Sequence, residues 1–518
     1  MGAGIWRALA RAAVFAALLL ARPAVAQDVA LVARDGGLTI AGILQSFDGE
    51  FYRIDTDYGP LTVDAEGVIC EGPGCPDLVA PRAAIRVVGV ADAGAALVPP
   101  LFEAFARVRG YDFQRGEGPG FSAQLIDRTG GQVLADVSFA AQPAEMARAT
   151  LKAREAELVL AAGPEPGLAS RAVALDALVT IVSPDNPTPA ISTPDLARVL
   201  SGEVDNWAQI GGPDMPLVLH ALMPEADLSR ALTARLGRPV QAAITHPDLA
   251  SLALAVAADP WAIAVTGRVA VEPAKLLPMT DSCGFPLLPS RLAVKAEDYP
   301  LSLPILFVTP RHRLPLLARE FLEFLGTPAA QIAVAEAGYV DRRPERQPMT
   351  ADGFRLINAI EGAGEETTLA DLQRLVGVMA GADRVSLTFR FQDGSTELDA
   401  QSQENVLDLA RLLGAGAFRD EVLVLAGFSD GEGASEANLE LSRQRAEMVR
   451  SALIGAAPDL PDDRLPIVFA FGEAMPLACD KTGPGRHLNR RVELWVKPAL
   501  GDWAKAALNE GADGEDVP

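Results

Sequence analysis

Arg445 is the residue whose type least fits its position. In the helical pattern 434–454, Leu441, Met448 and Ala452 recur at i, i+7 and i+11, and Arg445 falls on the same stripe where an apolar residue is expected. A guanidinium on such a stripe needs a partner, and its planar fork suits a carboxylate. Four cysteines are the other reactive group, and they fit an oxidising compartment. Cys70 and Cys75 flank the tight turn Glu71-Gly72-Pro73-Gly74 and make the natural first pair. Cys283 and Cys479 remain, as one long-range bridge or as two separate buried thiols. The histidines His220, His246, His312 and His487 show no metal-ligand spacing with one another or with the cysteines. Neither a Gly-x-Ser-x-Gly elbow nor a Lys-bearing phosphate loop occurs. The chemistry expected is recognition, with no enzyme activity, cofactor or metal.

Length and charge bound what such residues can recognise. The chain has 518 residues, too many for one ordinary core, and a formal net charge of −23. That charge argues against nucleic acid or an anionic membrane surface as partner. It also opposes long-range steering of an anion, although a few local donors can still bind one. Arg7 and Arg11 precede an apolar run over 12–21 and then Ala24-Val25-Ala26, which reads as a secretory signal peptide over 1–26. The run is too short for a permanent span, and no Cys stands at the cleavage point for a lipid anchor. A mature protein without a transmembrane segment is expected.

The elements that position the candidate residues follow in order. Residues 27–80 read as a small β module of about four short strands, with runs over 38–44, 50–54 and 61–63. Residues 81–343 alternate strand and helix, with strands near 84–90, 136–139, 156–160 and 217–222 and a helix over 95–108. Within them an apolar strand over 175–182 must stop at Pro184 and Pro187, and a helix then starts with Thr193 as N-cap and Pro194 at the first helical position. A helical linker over 344–381, a compact domain over 382–500 and an acidic tail over 501–518 complete the chain. The strand, its Asn186-Pro187 turn and the Ser201-Gly202 and Asn206-Trp207 pairs resemble the phosphate-binding proteins that serve ABC transporters. Ala262-Ile263-Ala264-Val265 and Tyr299-Pro300-Leu301 extend that resemblance. It implies a two-lobed, hinge-linked type II periplasmic-binding-protein fold in which 175–182 crosses between lobes.

In the last domain, Gly427-Phe428-Ser429-Asp430, Leu441-Ser442-Arg443-Gln444-Arg445-Ala446 and Asn489-Arg490-Arg491-Val492-Glu493 are similar to the OmpA-like peptidoglycan-binding domain. The resemblance implies a βαβαββ order, so the chain as a whole is multidomain α/β and α+β. It also implies that Asp430 takes the ammonium, and Arg445 a carboxylate, of diaminopimelate in the peptidoglycan stem. The alternative is that the two simply pair and hold strand to helix. Ser429 stands where the family has Thr and keeps the hydroxyl. Asn489 and Arg490 are further site-lining candidates, with a salt-bridged role for Arg490 as the alternative.

The phosphate-binding family grips its oxyanion with hydroxyls and backbone N–H groups at helix N-termini. Here the first gripping loop keeps Asp92 and Gly94 but has alanines for the hydroxyls, the second (161–167) lacks a Ser-Asp pair, and the third carries Glu225 and Asp227 beside Ser229 and Arg230. Ser229 and Arg230 are the surviving anion-contact candidates, or else exposed helix residues. The reading is an exported binding protein of the periplasm, on the outer-membrane side of the envelope, held non-covalently to peptidoglycan and carrying a degenerate phosphate-binding-like domain. Its rivals are a true receptor for phosphate or another small oxyanion that delivers to an ABC permease, and a structural envelope protein without a small-molecule ligand.

Overall fold

The computed structural model describes residues 29–499 apart from 35, 48–49, 57, 76–81, 119, 164, 166, 352, 362, 364–366, 393–394 and 396. The expected signal peptide (1–26) and acidic tail (501–518) lie outside the described residues. The fold divides into two compact units. The first holds the β module, an antiparallel sheet in the order Gly59–Asp64, Phe51–Thr56, Thr39–Phe47, Val29–Ala33, Val68–Glu71. Its core is Val29, Leu31, Tyr52 and Ile54, and the Cys70–Cys75 bridge packs at its edge. It has five strands rather than four, because Val29–Ala33 is an unbroken apolar run without the alternation that marks a half-buried strand.

The second unit begins at Ala84. Its largest sheet is threaded by Ala169–Val182, which reaches further toward the N-terminus than 175–182. The first half of this strand pairs antiparallel with Ser302–Thr309, and the second half, from Leu178, pairs with Ala262–Gly267. One lobe holds Ala83–Gly89, Tyr111–Arg115, Phe121–Asp127, Val133–Ala141, Leu158–Ala161 and the helix Ala91–Arg109. The other holds Val218–Leu222, Ile244–His246 and the helices Thr193–Leu200, Asp227–Leu236 and Leu249–Ala258. The crossing strand is buried throughout 172–182, as its uninterrupted apolar run requires. Around its stop, Asn186 Nδ2 donates to the Pro260 carbonyl at 2.8 Å and Trp207 Nε1 to the Trp261 carbonyl at 3.0 Å, so this stretch serves packing. The helix after it is capped by Ser192, not Thr193: the Ser192 hydroxyl accepts from the Asp195 N–H at 3.1 Å, and Thr193 is already helical.

The C-terminal domain runs strand Asp383–Phe389, helix Ala400–Gly414, strand Glu421–Phe428, helix Ser435–Ala456, strand Ile467–Ala470, short helix Gly483–Asn489 and strand Arg491–Pro498. Leu409, Leu425, Val449, Leu453 and Val492 fill the space between its two long helices and one sheet face. The opposite face is covered by Leu375 and Met379 of the helix Leu369–Met379, against Phe428, Phe469 and Trp495. The linker is therefore part of the domain. Arg346–Pro348 even joins the sheet as an edge strand beside Asp383–Phe389. Among the described residues, no helix is long and apolar enough to cross a membrane.

Candidate functional site

Arg445 is 6% exposed on the helix Ser435–Ala456. Its buried companions are Asn438, Ser442, Ala446, Val449 and Leu453, whereas Met448 is 42% exposed, so the buried stripe lies one position away from the one read in the sequence. The helix is brought down onto the strand Glu421–Phe428 at Gly427, where a Cβ would stand 2.1 Å from the Ser442 carbonyl oxygen. That close approach sets Arg445 near the strand end that carries Ser429 and Asp430. Its Cζ lies 5.6 Å from the centre of the Phe391 ring, and Nε and Nη1 have no hydrogen-bond partner among the described residues. Burial, and after it the neighbouring Arg490, lowers the guanidinium's pKa, which the Asp430 carboxylate partly offsets.

Asp430 is paired with Arg490 (Oδ2 to Nη1, 3.2 Å) and also accepts from the Glu432 N–H at 3.4 Å. Ser429 Oγ, like the two nitrogens of Arg445, is buried without a partner among the described residues. Asn489 is fully buried: its oxygen accepts from the Leu477 and Ala478 N–H groups (2.7 and 3.0 Å), and its nitrogen donates to the Ala478 carbonyl and to Asp480 Oδ1, both at 2.6 Å. It shapes the loop over 477–480, and that loop places Asp480 Oδ2 3.0 Å from the Gly431 N–H. Burial is the main cause that raises the Asp480 pKa, and Asp430 adds to it. The structure thus brings Asp430, Arg445 and Arg490 together and sets Asn489 behind them. Phe391 and Asp480 join the site unannounced, since neither a cation over a ring nor a loop folded back across 49 residues leaves a periodic signal. This corner can pair a carboxylate with the buried guanidinium and an ammonium with Asp430, with the unpartnered hydroxyl of Ser429 beside them.

The gripping segments between the lobes are otherwise engaged. At Gly94 the Phe139 ring lies 1.9 Å from where a Cβ would stand, so the first helical turn there is packed against an aromatic ring. In the second loop Glu165 is ion-paired with Arg148, whose Nε lies at 2.9 Å. In the third, Ser229 Oγ donates to the Leu222 carbonyl at 3.2 Å and Arg230 lies 3.6 Å from Asp227. Burial pushes the Asp227 pKa up to about 6, with Glu165 of the opposite lobe adding to the rise. Burial and then Asp248 of the opposite lobe likewise raise Asp92. Asp176, on the crossing strand, is pushed up to about 7, chiefly by burial. Carboxylates from both lobes therefore act on one another across this region. Among the described residues no group of three or more His, Cys, Asp or Glu could hold a metal ion.

Two stretches of the second unit match known domain families. Residues 116–328 match the PBP superfamily domain, and residues 390–490 match the OmpA family. The structure thus has a periplasmic-binding-protein fold followed by an OmpA domain. A stretch of 50 residues is 44% identical to the phosphate-binding protein PstS of Borreliella burgdorferi, and one of 66 residues is 39% identical to the probable lipoprotein YiaD of Escherichia coli. These stretches are 10% and 13% of this chain, and the chain spans only 18% and 29% of the length of these two relatives. An ABC-type phosphate transport receptor from Vibrio cholerae, 17% identical, superposes with a TM-score of 0.40 over 49% of this chain and 99% of its own.

Proposed function

We propose that this is a cell-envelope binding protein that holds peptidoglycan non-covalently through its C-terminal domain, and whose two-lobed domain keeps its fold while binding phosphate weakly or not at all. The observation that carries the first part is Arg445, a buried guanidinium with two unpartnered nitrogens beside the Asp430–Arg490 pair. Buried charged donors are normally satisfied, so an unsatisfied pair of N–H groups on a planar fork supports a carboxylate as the missing partner. Asp430, at the neighbouring strand end, then takes the ammonium of the same amino-acid group in exchange for its pairing with Arg490, as expected for diaminopimelate in a stem peptide. The pairing of Asp430 with Arg490 rather than Arg445 favours this over a purely structural Asp430–Arg445 bridge. The test is co-sedimentation of the full chain with purified peptidoglycan. Asp430→Ala and Arg445→Ala should each weaken binding by about 30-fold or more, the ~2 kcal/mol or greater typical of truncating a buried charge pair. Pelleting equal to wild type would remove the assignment.

The second part is supported by the engaged gripping segments and by carboxylates facing each other from opposite lobes, Asp248 near Asp92 and Glu165 near Asp227, which disfavour a further negative charge. Calorimetric titration with phosphate at neutral pH should show no tight binding. A sub-micromolar Kd would restore the reading of a phosphate receptor serving an ABC permease.

A further inference from the structure

We propose that the two-lobed domain holds one wall of the peptidoglycan pocket in place: Asp281 and the Cys283–Cys479 bridge position the loop over 477–480, so that peptidoglycan affinity depends on contacts made by the other domain. This rests on the reading of Asp430 and Arg445 as the stem-peptide site. The loop has no regular secondary structure, so its shape comes from what holds it. Asn489 holds it from within its own domain. The other anchor comes from outside. Asp281 is 6% exposed, and both of its oxygens are used: Oδ1 accepts from the Cys283 and Phe285 N–H groups at 2.8 and 2.9 Å, and Oδ2 from the Cys479 N–H at 2.8 Å. One carboxylate thus curls the segment that carries Cys283 and grips the backbone at Cys479. The disulfide, with Cα atoms 5.6 Å apart, joins the same two points covalently.

From there the path to the ligand groups is short. Cys479 is followed by Asp480, whose Oδ2 accepts from the Gly431 N–H at 3.0 Å, and Gly431 follows Asp430. Asp480 Oδ1 also takes the Asn489 amide, so a displaced loop would shift both sides of the pocket. Asp281 and the two cysteines touch no ligand group. They are positioning residues.

The test uses the full chain and a soluble diaminopimelate-containing stem peptide. Asp281→Ala, and separately the double variant Cys283→Ser with Cys479→Ser, should each weaken peptide binding about tenfold, with Arg445→Ala as the reference for loss of the pocket itself. A second measurement needs no variant. Binding coupling is reciprocal, so saturating peptide should make the wild-type bridge about tenfold harder to reduce at equilibrium. Dithiothreitol supplies two electrons and two protons, the S–S bond becomes two thiols, and the reagent closes to its cyclic disulfide. Alkylation and mass mapping read Cys283 and Cys479 against Cys70 and Cys75, whose reduction the peptide should leave unchanged. Unaltered peptide affinity in both variants, or reduction of Cys283–Cys479 indifferent to peptide, overturns the inference while Arg445→Ala still loses binding. If Arg445→Ala binds as wild type does, the pocket reading falls first and takes the inference with it.

Discussion

A buried guanidinium whose Nε and Nη1 lack partners is a burden on the folded state, because desolvation is incurred without compensating hydrogen bonds. The stacking of Arg445 over Phe391 recovers part of that cost, since a cation over an aromatic face is worth about 0.5–2 kcal/mol. A residue kept there for stability alone would be better replaced by a hydrocarbon of the same length. Arg445→Met is therefore expected to stabilise the C-terminal domain by about 1–3 kcal/mol while abolishing peptidoglycan binding, in line with other buried charges exchanged for apolar side chains. Chemical denaturation of the full chain, followed in parallel with co-sedimentation, checks both halves. If the variant is destabilised instead, Arg445 is a structural partner and its role as a ligand receptor fails. Asn489 shows the opposite case: every hydrogen-bonding site of its amide that the loop can reach is engaged, so its contribution is to hold the loop.

At the scale of elements, the seating of the helix Ser435–Ala456 on the strand Glu421–Phe428 decides whether Arg445 and Asp430 face one pocket. Gly427 permits it. A methyl group there would press on the Ser442 carbonyl and lie 3.3 Å from the Ala446 side chain, forcing helix and strand apart. Gly427→Ala should destabilise the domain by about 1–3 kcal/mol, the usual cost of overpacking, and weaken peptidoglycan binding beyond what the lost stability explains. Thermal denaturation read alongside binding tests this, and an unperturbed midpoint would show that the helix shifts without penalty. Much of the element layout was legible in the sequence where a local rule governs it. Prolines stop the crossing strand, and apolar runs mark the sheet interiors. The misreadings fall where a local tie or a long-range contact decides. Ser192 and Thr193 are both good caps, and only the placement of the Asp195 N–H selects Ser192. Arg346–Pro348 is too short and polar to read as a strand, and becomes one only by pairing with Asp383–Phe389. Asp480 enters the site because Asn489 and Cys479 fold its loop inward, which no spacing in the chain announces.

For the molecule as a whole, the second unit is a two-lobed domain and a C-terminal domain sewn together rather than strung on a tether. Asp341, fully buried at the end of the two-lobed domain, gathers Arg291 (2.8 Å), Lys295 (3.3 Å) and Arg343 (2.8 Å). Arg342 reaches Asp408 at 2.6 Å, and the Cys283–Cys479 bridge closes a separation of 196 residues, a constraint worth up to ~5 kcal/mol in the chain-entropy model. At the centre stands Asp298, which accepts from Arg384 (2.6 Å) and Arg390 (3.3 Å), two nearly inaccessible guanidiniums of the C-terminal domain. Each domain supplies a charge that the other pairs, so neither can unfold without leaving its neighbour's charge unpaired. The two should therefore melt in one calorimetric transition. Asp298→Ala removes the carboxylate that both arginines share, and breaking a buried pair in this way typically costs about 3–5 kcal/mol. The expected result is a lower midpoint for the C-terminal domain and a split into two transitions, with the bridge still intact by mass mapping. Two resolved transitions already present in the wild-type unit would show instead that the domains are stable independently, and that the ionic seam between them contributes contact without cooperativity.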